Sequence, residues 1–259
     1  MARQTRSKSS RSSQKSSSNR EIDEDIRQYN TEKSIRKTSI TKESFQNNGV
    51  RLSEKQNDLY KGIRNNTLTV VHGPAGTSKT FTSCYTALAL LADKKIDKII
   101  ITKPIQESGE QIGLLPGSVA EKIDPYRQSY YTNFCKIADK QTIDFMFATE
   151  EIVFEPLAYM RGSTYDNCIM LLDECQNASI KQLMLWATRL GKDSKAVMMG
   201  DTSQYDVKKR DSGYIDFIKM TKDMKDLYIF EFKNEDIVRN KFLIELANRY
   251  DKYRSENDI

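Results

Sequence analysis

The segment TLTVVHGPAGTSKTFTSCYTALALLADKK, residues 67 to 95, constrains the fold more than any other part of the chain. A short β-branched run ends in glycine, a tight glycine-containing turn follows, and then apolar residues recur at helical spacing. A strand that feeds a helix in this way must return to the same end of a sheet to add a parallel neighbour. The later runs DKIIIT, EIVFEP, NCIMLLDE, AVMMGD and DLYIFEF supply those neighbours. Between and after them, SIKQLMLWATRLGK and NEDIVRNKFLIELANRYDKY read as amphipathic helices, with Ser179 as N-cap of the first. Strands that are nearly all apolar are expected in a sheet covered on both faces. The expected fold is therefore α/β, a mostly parallel sheet with helices on both sides. Ligands in such sheets gather at the carboxyl ends of the strands, where Gly73, Asp173, Glu174 and Asp201 fall.

The turn itself matches G-x-x-x-x-G-K-[ST] at every fixed position but one. Gly73, Pro74, Ala75, Gly76, Thr77 and Ser78 form the loop, and Ser78 stands where glycine is usual. The chemistry requires backbone N–H groups turned inward on phosphates, with a helix N-terminus behind them. Lys79 would reach the β- and γ-phosphates, and the Thr80 hydroxyl would bind Mg²⁺. If residue 78 needs a positive φ, serine costs on the order of 1 kcal/mol there. The competing reading is a turn that resembles a phosphate site by accident.

A second element weighs against accident. CIMLLDECQNAS puts Asp173 and Glu174 directly after an apolar strand, where one carboxylate can hold Mg²⁺ and the next can polarise a water. Acids also end strands merely because loops are solvated, so it is the pairing with the phosphate loop that carries weight. A third element, MMGDTSQ, sets Asp201 and Gln204 after another strand, where Gln204 would sense the γ-phosphate.

Charge argues for a tail and a body. The first 20 residues hold six Lys and Arg, eight Ser and no acid, which leaves 35 basic against 36 acidic residues elsewhere. Bulk charge therefore does not mark the body as a nucleic-acid binder. Residues 1–45 are expected to be a disordered basic tail, either solubilising or a salt-sensitive arm for RNA or DNA, and residues 46–259 the folded domain. No apolar run approaches the ~18 residues of a membrane span, and the start has no secretory pattern, so no membrane association and a cytoplasmic location are expected. Cys84, Cys135, Cys168 and Cys175 are widely spaced and His72 has no nearby ligand partner, which points to reduced thiols rather than a metal site.

The runs TKPIQESGEQIGLLPGSVAEKIDPY, EPLAYMRGSTYDNCIMLLDECQNAS and MMGDTSQYD, in this order, resemble the PhoH family of P-loop ATPases, relatives of the superfamily 1 helicase core. The likeness runs from about Leu52 to Tyr250. It implies a single RecA-like P-loop NTPase domain that binds and hydrolyses ATP with Mg²⁺ and acts on RNA or single-stranded nucleic acid. In the family pattern Gln56 meets the adenine, and Thr102, Lys103 and Pro104 face the nucleic acid. Arg161 and Gly162 match a family RG pair, and Arg239, in the Asp236–Arg239 segment, is a candidate for the γ-phosphate. Gln56 and Lys103 also read as ordinary surface residues, and Arg239 as an ion-pair partner of Asp236. With no room for a second such domain, a homo-oligomer, most readily a hexameric ring, would complete the site. The alternative function is a nucleotide-gated binding or regulatory module without unwinding activity.

Overall fold

The computed structural model describes residues 40–41, 45, 49–104, 119–201 and 212–257. Seven α-helices and six strands alternate along them: α1 (Glu54–Asn65), β1 (Leu68–His72), α2 (Lys79–Ala92), β2 (Lys98–Thr102), α3 (Val119–Cys135), α4 (Lys140–Ala148) and β3 (Ile152–Phe154). Then come β4 (Cys168–Leu172), α5 (Ile180–Ala187), β5 (Lys195–Gly200), α6 (Tyr214–Thr221), β6 (Leu227–Glu231) and α7 (Lys241–Asn257). The strands pair in the order β3-β2-β4-β5-β1-β6, and all five pairings are parallel.

The period of two along each strand divides its apolar residues between two cores. Val71, Ile99, Ile101, Ile169, Leu171, Val197 and Met199 face one side, against Leu59, Leu88, Phe134 and Met146 of α1 to α4. Val70, Ile100, Met170, Leu172, Ala196 and Met198 face the other, against Leu183, Trp186 and Phe217 of α5 and α6. This is why the inner strands read as unbroken apolar runs: their two faces are both covered, whereas the edge strand β6 is partly exposed. Truncating a fully buried side chain such as Leu88 to alanine would cost about 2–5 kcal/mol.

The helix ends follow local chemistry. Ser53 and Ser179 close capping boxes with Gln56 and Gln182 at the starts of α1 and α5, each typically contributing about 1 kcal/mol. The C-terminal run expected to be one helix is instead a 3₁₀ turn, Asn234–Asp236, and a separate α7. The Asp236 carboxylate accepts from the Lys233 N–H and Asn240 accepts from Phe242, so side chains compete with helical bonding between the two. No residue of α7 is buried.

Packing begins before the boundary drawn from composition. Ile40 and Phe45 are buried in the first core, and the Phe45 ring lies 4.8 Å from that of Tyr85. A compact unit starts at Ile40; polar neighbours masked two apolar anchors. The basic segment up to residue 39, and Gln204, lie outside the described residues. Among the described residues no helix is long and apolar enough to cross a membrane.

Candidate functional site

Register brings the loops to one edge. Thr102, Leu172 and Met198 align across β2, β4 and β5, and His72 aligns with Gly200. The chain leaves β1 towards β2 on one side and leaves β5 for β6 on the other, so the carboxyl ends of β1, β4 and β5 open on the crevice where an α/β sheet binds ligands.

The loop between β1 and α2 turns tightly at its glycines. At Gly73 φ is +143°, and a Cβ there would collide with the Phe232 carbonyl, so only glycine fits. The Thr77 hydroxyl donates to the Pro74 carbonyl at 2.8 Å and closes the loop on itself. Ser78 is left-handed, φ 68° and ψ 26°, and its side chain makes no capping bond. The departure from glycine thus falls where glycine is favoured, while the backbone conformation is retained.

Lys79 folds over the loop, its ammonium donating to the carbonyls of Gly73 at 2.6 Å and Pro74 at 2.9 Å. Burial pulls it below the usual lysine range, and the carboxylates of Asp201, Asp173 and Glu174 oppose that pull. Three acids thus surround one half-buried cation.

Asp173 is held from three directions. The Thr80 hydroxyl donates to Oδ2 at 3.0 Å, the Tyr130 hydroxyl to the same oxygen at 2.9 Å, and the Glu174 N–H to Oδ1 at 3.0 Å. Tyr130 is fully buried, and burial followed by the charge of Asp173 pushes its hydroxyl well above the ordinary tyrosine value, so it stays a donor. Glu174 is itself left-handed at φ 56°. Its Oε2 accepts from the Gln176 amide at 2.6 Å, and its Oε1 lies 3.5 Å from the Lys103 ammonium. The Gln176 carbonyl in turn accepts from the Asp201 N–H at 3.0 Å, which links the ends of β4 and β5.

These groups line a cavity of about 550 Å³ that includes Ala75, Gly76, Ser78, Lys79, Thr80, Asp173, Glu174, Asp201 and Arg239. Arg51, Gln56, Phe81, Asn133 and Lys136 line the same space. Gln56 is buried, and its side-chain carbonyl is used by the Ser53 N–H at 2.9 Å. Arg239 is exposed, and among the described residues it makes no ion pair; Asp236 is engaged by Lys233 instead.

Other expected residues fall elsewhere. Thr102 is buried with its hydroxyl on the Met160 sulfur, and Pro104 is buried too, so of that trio Lys103 alone is partly exposed. A strand end buried on both faces leaves its last side chains inside the sheet. Arg161 and Gly162 form an exposed turn and do not line the cavity. The four cysteines are free; three are buried, and burial raises the thiols of Cys84, Cys168 and Cys175. Tyr130, Gln176 and the backbone of Val238, which donates to the Gly76 carbonyl, belong to the site without any motif to mark them.

A divalent cation fits the oxygen donors present. Among the described residues no group of three or more His, Cys, Asp or Glu is arranged around a metal. The Thr80 hydroxyl and the Asp173 carboxylate instead form the two-donor set that suits Mg²⁺ when phosphates and waters fill the rest of its shell.

The family model for PhoH-like proteins matches residues 50–251. The PhoH-like protein of Mycobacterium tuberculosis is 37% identical over 189 residues, 73% of this chain and 54% of its own length. That of Bacillus subtilis is 37% identical over 199 residues, 76% and 60% respectively. The protein PhoH of Escherichia coli K12 is 31% identical over 201 residues, 76% and 57%. The chain thus spans little more than half the length of these relatives. A crystal structure of the Pif1 helicase from Candida albicans aligns over 71% of this chain and 40% of that one at 15% identity, with a TM-score of 0.37, a likeness too loose to bear on function. With nearly the whole described body matched by the family model, and relatives above 30% identity over three quarters of its length, this chain belongs to the PhoH-like family.

Proposed function

We propose that the chain binds ATP with Mg²⁺ at this cavity, hydrolyses it, and acts on RNA or single-stranded nucleic acid. The observation that carries the reading is the 3.0 Å bond from the Thr80 hydroxyl to Asp173. It joins the phosphate loop to the acidic strand end, two motifs 93 residues apart in sequence, and so supports one centre built from both.

Each residue then has a role set by its place. The N–H groups of the loop and the Lys79 ammonium would hold the β- and γ-phosphates, Lys79 exchanging the loop carbonyls for phosphate oxygens. Gln56, its carbonyl occupied by Ser53, would offer its amide nitrogen to the base. Thr80 and Asp173 would hold Mg²⁺, which when bound draws charge from the phosphate oxygens. Glu174 would orient a water and take its proton as the water oxygen bonds to the γ-phosphorus. The bond from that phosphorus to the bridging oxygen breaks, and ADP leaves with the electron pair. Arg239 would offset charge on the γ-phosphate; the sensing role of Gln204 rests on the sequence motif alone, since that residue lies outside the described residues.

A homo-oligomeric ring is part of the same reading. Its support is the exposed apolar face of α7, where Phe242, Leu246, Tyr250 and Tyr253 are each about half or more exposed beside Arg239.

The test pairs two variants. Lys79→Ala is expected to weaken binding of a fluorescent ATP analogue at least tenfold, and Glu174→Gln to bind it normally while phosphate release falls a hundredfold or more. Equal nucleotide affinity in wild type and Lys79→Ala would reject the site.

A further inference from the structure

Both oxygens of the Glu174 carboxylate are engaged, and the two engagements differ in kind. Gln176 is buried and donates to Oε2 at 2.6 Å, from a side chain whose carbonyl is fixed by the Asp201 N–H. That tether is short and comes from a buried side chain anchored at the sheet edge. The Lys103 ammonium sits 3.5 Å from Oε1, with side-chain exposures of 23% for Lys103 and 40% for Glu174. This is longer than the 2.7–2.9 Å of a tight charge-assisted bond and open to solvent, so it is weak and exchangeable. The Glu174 backbone is left-handed, a conformation held only where surroundings over-determine it. The strain, the rigid tether and the loose tether all converge on one residue.

Lys103 also faces outward. Its ammonium lies 5.7 Å from the centre of the Tyr126 ring, and Tyr126 is partly exposed on α3. A partly exposed cation beside an aromatic face is a pairing that can hold a phosphodiester and stack its base. The same ammonium thus touches the Glu174 carboxylate on one side and the Tyr126 ring on the other.

We propose that Lys103 is a coupling residue: it restrains Glu174 when no nucleic acid is present and releases it when a phosphodiester of single-stranded nucleic acid takes the ammonium. This rests on the reading of Glu174 as the group that activates water. Lys103 acts through Glu174 and is a positioning residue for the reaction. Binding outside would then raise turnover inside without any rearrangement of the sheet, because only one side chain changes partner.

The experiment compares wild type, Lys103→Met and Lys103→Arg, with Glu174→Gln as control. Phosphate release is measured alone and with poly(U), poly(dT) or inorganic polyphosphate, and binding of labelled U15 by anisotropy. Wild type is expected to be stimulated by poly(U) or poly(dT). Lys103→Met is expected to show basal turnover about two- to fivefold above wild type, the range of a weak surface ion pair, with stimulation reduced towards one and U15 affinity lowered. Lys103→Arg should retain stimulation. Basal turnover in Lys103→Met at or below wild type, with Glu174→Gln inactive, would overturn the restraint and leave the catalytic reading standing. Full stimulation of Lys103→Met by poly(U), or stimulation of wild type by polyphosphate but neither polymer, would overturn the coupling. Wild-type turnover in Glu174→Gln would overturn both readings together.

Discussion

The Val238 N–H donates to the Gly76 carbonyl at 3.1 Å, which ties the middle of the phosphate loop to the chain that follows β6. The same chain backs the loop at two glycines. Phe232 closes against Gly73, and a Cβ placed on Gly76, where φ is +89°, would lie 3.3 Å from the Ile237 methyl. An edge strand thereby holds the loop in shape, and it delivers Arg239 to the cavity rim one residue beyond the tie.

Ser78 tests how much the unusual loop residue costs. Its side chain makes no capping bond, so replacing it with glycine removes left-handed strain and costs no cap. Against this stands the extra freedom of glycine in the unfolded chain, roughly 0.4–1 kcal/mol. Ser78→Gly is therefore expected to change stability by no more than about 1 kcal/mol, or about 2–4 °C in Tm for a domain of this size. Ser78→Val places a β-branched side chain at φ 68° and is expected to lower stability by at least about 1–2 kcal/mol. Thermal unfolding of both variants decides it: a valine variant as stable as wild type would mean that the loop does not hold that conformation in solution.

Tyr130 tests the support beneath the metal donors. Its hydroxyl shares Asp173 Oδ2 with Thr80, and phenylalanine would keep the ring packing while removing one of two donors. Partners of this kind orient a carboxylate, and losing one commonly weakens metal binding about 10–100-fold. Tyr130→Phe is expected to fold, to bind nucleotide without divalent cation as wild type does, and to need about tenfold more Mn²⁺ in an EPR titration with ADP present. Unchanged or tighter Mn²⁺ binding would remove Tyr130 from the site's support.

What the sequence disclosed followed from adjacency. Gly73 to Thr80 and Asp173 with Glu174 are short runs whose order encodes their geometry, and the two-sided burial of the strands is written in their unbroken apolar character. Tyr130 and Gln176 left no such trace. Tyr130 reaches Asp173 across 43 residues, and Gln176 becomes a link only because β4 and β5 are neighbours in the sheet. The break between Asp236 and Lys241 was hidden for a related reason: helical periodicity persists across it, while the bonds that interrupt it are side-chain contacts to Lys233 and Phe242. Thr102 shows the opposite error, since a strand-end residue that the family resemblance turns toward nucleic acid is sealed by Met160 from a distant turn.

Arg239 decides whether the site is completed within one subunit or between two. It lines the cavity with Lys79 and Thr80, is exposed, and lies at the foot of α7, whose Phe242, Leu246 and Tyr253 are each half or more exposed. The helical pairing with Asp236 is not formed, so the guanidinium is not committed to that neighbour. A cation at this position is expected to offset charge on the γ-phosphate, and losing it typically lowers turnover by orders of magnitude. Arg239→Ala should therefore depress phosphate release at least a hundredfold, with ATP affinity and Tm close to wild type because the side chain is exposed. Mixing Arg239→Ala with Lys79→Ala separates the two arrangements. If the arginine acts across an interface, a subunit with intact Lys79 beside a neighbour with intact Arg239 is a complete site, and two inactive proteins regain activity when mixed. In a randomly mixed ring at equal concentrations, about a quarter of interfaces would be complete by this counting. Recovery near that fraction, with ATP-dependent assembly seen by light scattering, is the expected result. Mixtures shown to exchange subunits yet remaining inactive, or a monomer with ATP present, would place Arg239 in its own subunit's cavity.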